Sequence, residues 1–226
     1  MKSTSTSHML FLSMLLLLVS LLIRQETTAQ ANDNSLSRRE VKQIALPEVI
    51  AFLKKIPSGA EEQYGFANRS EFLRASLGEP YQVYTIDPDS IRDGTPLGKQ
   101  YMIPIDEWRT PIIVDGRYCS FVTVSRVDGR PRAVEIGGAV LAKEVGEFEQ
   151  RHPKGLKAIL RLFQLQCDYI VVISPGKKVD DGAFYPLLSA RLVFRGQAFE
   201  KESNLSLSKL LPIVREKYTE QLWLDK

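Results

Sequence analysis

The chain has 226 residues, a formal net charge of +3, 44% hydrophobic and 25% charged residues, and only two cysteines and two histidines. That balance is globular rather than disordered, and it leaves no basic footprint for nucleic acid or an anionic membrane. One histidine, His8, lies at the extreme N-terminus, so zinc sites of the two- or three-histidine kind are excluded from the rest of the chain.

Residues 9–23 (MLFLSMLLLLVSLLI) carry no charge. As a helix they would span roughly 22 Å, short of the roughly 30 Å hydrocarbon core, so they read as the apolar region of an export signal. Ala29-Gln30-Ala31 is an A-x-A cleavage site, and Thr27-Thr28-Ala29 offers a second register. Residues 1–31 are therefore expected to be a signal peptide, with secretion or a periplasmic location as the outcome. The sparse n-region and Arg24 keep an uncleaved anchor, with the domain outside the cytoplasm, as the alternative. Cleavage removes Lys2, Arg24 and Glu26 and brings the net charge to +2.

Residues 32–36 are a polar leader, and 37–226 are long enough for one globular domain. Ser37-Arg38-Arg39-Glu40 has the form of a capping box. The apolar spacing Val41, Ile44, Leu46, Ile50, Phe52, Leu53 then predicts helix, with Pro47 starting a second helix and Pro57-Ser58-Gly59 ending it. Asn68 or Ser70 caps a short helix that Gly78 stops, and 81–86 (YQVYTI) reads as a strand. The stretch 87–98 is turn-rich. Its Asp87, Asp89 and Asp93 lack the spacing of a calcium loop and read as turn formers.

Tyr101 to Pro111 sets Trp108 between two prolines and is the expected contact loop, with Tyr101, Trp108 and Arg109 as ligand-binding candidates. Val-Asp-Gly-Arg then occurs twice, at 114–117 and 127–130. Asp-Gly between β-prone runs predicts two-residue hairpins, hence an antiparallel meander of strands 110–114, 117–127 and 131–136. Gly137-Gly138 reads as a tight exit into a helix over 139–150, or as an anion seat at that helix's N-terminus. Residues 156–166 favour strand narrowly over helix, and 168–173 (DYIVVI) is strand. A strand over 183–194, disturbed at Pro186, and a helix over 206–222 complete the chain.

The order points to an α+β fold, an antiparallel meander sheet packed by N-terminal, central and C-terminal helices. It resembles small secreted propeptide or inhibitor modules in element order alone, which carries no function.

Candidate chemistry is thin. Cys119 and Cys167 are candidates for a disulfide in an exported chain, or for two separate buried thiols. A thiol activated by His152 is the best nucleophilic arrangement, and Ser206-Leu207-Ser208-Lys209 matches S-x-x-K without its companion motifs. No metal site and no cofactor are implied. The expected function is a non-enzymatic exported module binding a protein or envelope ligand. A thiol or serine hydrolase is the alternative, as is an envelope component held in the membrane through residues 9–23.

Overall fold

The computed structural model describes residues 36–96, 98–195 and 204–224. The expected signal at 1–31 and most of the leader lie outside the described residues. Among the described residues no helix is long and apolar enough to cross a membrane.

Helix α1 (Arg38–Lys55) starts as the capping box dictates. Ser37 Oγ accepts from the Glu40 amide at 3.3 Å, and the Ser37 amide donates to Glu40 Oε2 at 2.8 Å. It runs through Pro47 as one helix, which corrects the expected break. Val41, Ala45, Val49 and Leu53 form one continuous buried stripe across that point. Pro47 lies on the exposed side, where the carbonyl it strands meets water. Tertiary burial thus outweighs the local cost of the proline.

The strands are β1 (Ser76–Leu77), β2 (Tyr81–Ile86), β3 (Met102–Val114), β4 (Arg117–Val127), β5 (Arg130–Gly137), β6 (Leu156–Leu162), β7 (Cys167–Ile173) and β8 (Ala183–Pro186). They form one sheet in the order β5-β4-β3-β2-β6-β7-β8, with β1 added to β3. The fold is therefore mixed α+β on a mostly antiparallel sheet. β2 and β6 run parallel, joined through the crossover that carries helix α3 (Ala139–Arg151). Both Asp-Gly pairs make the expected turns, with φ of 49° and 79° at Asp115-Gly116 and 50° and 74° at Asp128-Gly129.

Three local expectations are revised. The segment foreseen as a contact loop is most of β3, a thirteen-residue strand in mid-sheet. The strand accommodates Pro104 and Pro111 because register shifts beside them relieve the ladder that a proline cannot complete. The turn-rich stretch holds helix α2 (Pro88–Asp93), with Asp87 as cap and Gly94 left-handed at its end. The segment foreseen as a strand over 183–194 is β8 followed by helix α4 (Leu188–Val193), because Pro186 ends the ladder and Ala190 and Phe194 reach the core one helical turn apart.

The sheet buries both faces. On one, Ile86, Met102, Leu160, Tyr169, Val171 and Phe184 pack beneath helix α5 (Leu207–Leu224) and its neighbours. On the other, Tyr81, Val83, Phe121, Ile159 and Ile170 pack beneath α3. Helix α1 lies across β3, β4 and β5.

The two cysteines are unbonded and buried. Cys119 is on β4 and Cys167 on β7, four strand spacings apart in the sheet order. That is about 19 Å at ordinary strand spacing, where a disulfide needs Cα atoms about 4.4–6.8 Å apart. The disulfide that the sequence permits is therefore not formed. Titration in denaturant should find both thiols free, and reductant should leave the melting temperature unchanged. A mass two hydrogens short in the unreduced protein would contradict this.

Candidate functional site

Alternation along the strands separates the candidate residues. Trp108 and Arg109 are neighbours on β3, so they face opposite sides of the sheet. Trp108 pairs with Val124 in the ladder and is buried. Arg109 pairs with Thr123 on β4 and Tyr81 on β2, on the face that α3 covers. Tyr101 is elsewhere, its hydroxyl donating to the Gly94 carbonyl at 2.6 Å and its amide to Asp180. Only Arg109 reaches the cavity described next.

Glu135, Thr123, Arg109 and Tyr81 form one row across β5, β4, β3 and β2. Arg161 and Asp168 face each other across β6 and β7. Arg161 Nη1 donates to both Asp168 carboxylate oxygens at 3.1 Å, and Arg109 Nη1 lies 3.5 Å from Oδ1. Arg109 Nε also donates to Glu107 at 3.1 Å, and the Asp168 amide donates to Ser189 Oγ at 2.9 Å. Asp168 therefore holds two guanidinium groups side by side, and its side chain is only 7% exposed. A carboxylate so enclosed persists because both charges and hydrogen bonds meet it.

The two arginines, Arg109 and Arg161, wall a cavity of about 170 Å³ with Thr123, Glu135 and Gly137-Gly138 before α3, and Phe121 and Leu141 supply its apolar side. Gly138 is left-handed at the helix N-cap and provides no side-chain cap. The first amides of α3 are thus left to an outside acceptor, in the positive field of the helix end. Thr123 is 6% exposed, and its hydroxyl has no hydrogen-bond partner among the described residues. Nη2 of Arg109, and Nε and Nη2 of Arg161, likewise make no hydrogen bond there. Unused donors of three kinds meet in one small space.

The remaining candidates do not converge. His152 ends α3, stacked on Phe148 at 4.3 Å and 5.0 Å from the Tyr185 ring. Tyr185 is on β8, five strand spacings from Cys119 on β4, which is about 24 Å. Cys167 packs on the opposite face of the sheet from α3 and His152. Burial pushes the Cys167 thiol up to about 12, with Asp168 adding to it, and burial also raises Cys119. Both thiols are thus held protonated, the poor form for a nucleophile. Tyr81 is raised as well, by burial and by donating its hydroxyl to Glu149 at 2.5 Å; Lys157 donates to that carboxylate at 2.8 Å. Ser206 accepts the first helical hydrogen bonds of α5 through its carbonyl, and its hydroxyl meets Ser208. Asp87 caps α2, while Asp89 and Asp93 pair with Arg92.

A larger depression of about 430 Å³ lies between α1 and the turn of 3₁₀-helix at Arg69–Arg74. Its floor includes exposed Leu46, Ile50 and Leu73, and its arginine, Arg69, is already committed to the Ile56 carbonyl and Glu61. Apolar space without oriented polar groups gives little selectivity.

Sequence reasoning singled out Arg109 and the glycine pair but missed Thr123, Glu135, Arg161 and Asp168. A signal was present in the last two: charges interrupt the apolar strands AILRLF and DYIVVI at positions that face inward. No protein-family model, curated protein or solved structure matches the chain.

Proposed function

We propose that the protein is an exported, non-enzymatic binding module that holds the anionic group of a ligand in the cavity at the start of α3. The antiparallel meander, braced by N-terminal, central and C-terminal helices, serves as the rigid frame. The observation that carries this reading is that Arg109 and Arg161, with guanidinium nitrogens unused among the described residues, line one small cavity together with Thr123 and with Gly138 at the uncapped start of α3. Such donors favour an oxyanion, since each gains a charge-assisted hydrogen bond without having to be reorganised. Export is supported by the apolar stretch 9–23 and the A-x-A site, and N-terminal sequencing of the native protein should read from Asn32 or Gln30. An intact Met1 would favour the anchored alternative.

Binding is tested by thermal shift with orthophosphate, sulfate, acetate and isovalerate. Saturation at a hundred times Kd contributes about 2.7 kcal/mol, a rise of roughly 5–10 °C for a domain of this size. At least one of these anions should produce such a rise, and Arg161→Ala and Thr123→Val should each remove most of it. No shift with any of them, or an equal shift in Arg161→Ala, would overturn the proposal.

A further inference from the structure

We infer that the ligand bound there is zwitterionic, a free α-amino acid; the inference rests on the binding reading above and adds the ligand's chemistry. The start of α3 would not by itself make a site. What makes it one is Thr123, a residue only 6% exposed whose side chain lines the cavity and makes no hydrogen bond among the described residues.

Beside these donors stands one group of opposite character. Glu135 lines the mouth of the same cavity, exposed, with no hydrogen bond or ion pair among the described residues. Its Oε1 lies 3.9 Å from the point where a Cβ on Gly137 would sit, so the carboxylate stands beside the glycine exit. In the ladder the order is Glu135, Thr123, Arg109. Side chains of directly opposite residues start about 5 Å apart, so Glu135 and Arg109 begin about 10 Å apart with Thr123 between them.

A ligand resting on Thr123 therefore has an acid, beside the glycine exit, on one side and two arginines on the other. A simple anion satisfies the arginine side and leaves Glu135 facing it as a like charge. An α-amino acid directs its carboxylate to Arg109 and Arg161, and its ammonium to Glu135. The cavity of about 170 Å³ is below the size of ordinary drug-sized pockets, which suits a ligand of few atoms. Phe121 and Leu141 leave an apolar wall for a small side chain.

Calorimetry on the whole protein should compare matched pairs that differ in the amino group: L-alanine with propionate, L-valine with isovalerate, and L-glutamate with glutarate. At least one amino acid should bind about tenfold or more tighter than its deaminated partner, the size of effect a charge-assisted hydrogen bond gives. Glu135→Gln changes an exposed side chain and should keep the fold. It should bring the favoured amino acid to the level of its partner while leaving that partner's affinity unchanged or improved. Equal affinities within every pair, or discrimination that survives Glu135→Gln, would overturn the inference while leaving anion binding intact. Loss of all binding, anions included, would overturn both.

Discussion

Asp168→Ala is expected to cost about 3–5 kcal/mol of folding free energy, the usual result of leaving buried charge without its partner. Arg109 and Arg161 have side-chain exposures of 11% and 29%, and both touch the same carboxylate. Its removal leaves two cations adjacent, with Glu107 beside Arg109 as the one carboxylate paired to them among the described residues. The Ser189 hydroxyl also loses its contact with Oδ2. Urea unfolding is the measurement. Since whole domains are stable by about 5–15 kcal/mol, such a loss would move the midpoint far down. Replacing the facing pair together, Asp168→Leu with Arg161→Met, should recover a large part of it, because apolar side chains of similar volume carry no desolvation cost. A loss below about 1 kcal/mol for Asp168→Ala would mean that water rather than Asp168 holds the guanidinium groups.

Gly65→Ala is expected to be comparably damaging, at about 4 kcal/mol, for a different reason. Gly65 has φ of +84°, and a Cβ there would lie 1.9 Å from the Cys119 carbonyl oxygen and 2.8 Å from its carbon. The left-handed conformation alone costs a non-glycine residue about 1–2 kcal/mol. The remainder comes from pushing back the main chain of β4 at Cys119, which sits at the register shift against β3. Gly59 is the control. Its φ is +88° with nothing within 4 Å of a Cβ, so Gly59→Ala should show only the conformational cost of about 1–2 kcal/mol. Similar losses for the two variants would show that the approach of Gly65 to Cys119 is not tight.

The parts of the fold that were legible are those where one local rule acts alone. The repeated Val-Asp-Gly-Arg gave both hairpins because Asp-Gly accepts positive φ at both turn positions. Ser37 and Glu40 gave the start of α1 through their reciprocal bonds. A proline misled where tertiary structure overrode it: Pro47 lies inside α1, where a new helix was expected to start. There the burial of Val41, Ala45, Val49 and Leu53 outweighs a lost hydrogen bond, and nothing local reports that burial. Pro186 was legible as a disturbance, but the helix after it depends on where Ala190 and Phe194 meet the core.

The site was less legible because it is assembled across the sheet. Arg109, Thr123 and Glu135 lie on three strands, and Arg161 and Asp168 on two others that come together only through the parallel pairing of β2 with β6. Strand alternation also explains why Trp108, beside Arg109 in sequence, belongs to the other face.

The claim on which the functional account depends is that ligands enter the cavity beneath the start of α3. Amide chemical-shift mapping of the wild-type protein during titration with isovalerate tests it most directly. The expected result is a compact set of shifts at Thr123, Gly137, Gly138 and Leu141, absent in Arg161→Ala. Shifts centred instead on Leu46, Ile50 and Leu73 in the groove beside α1, or none at saturating isovalerate, would contradict it.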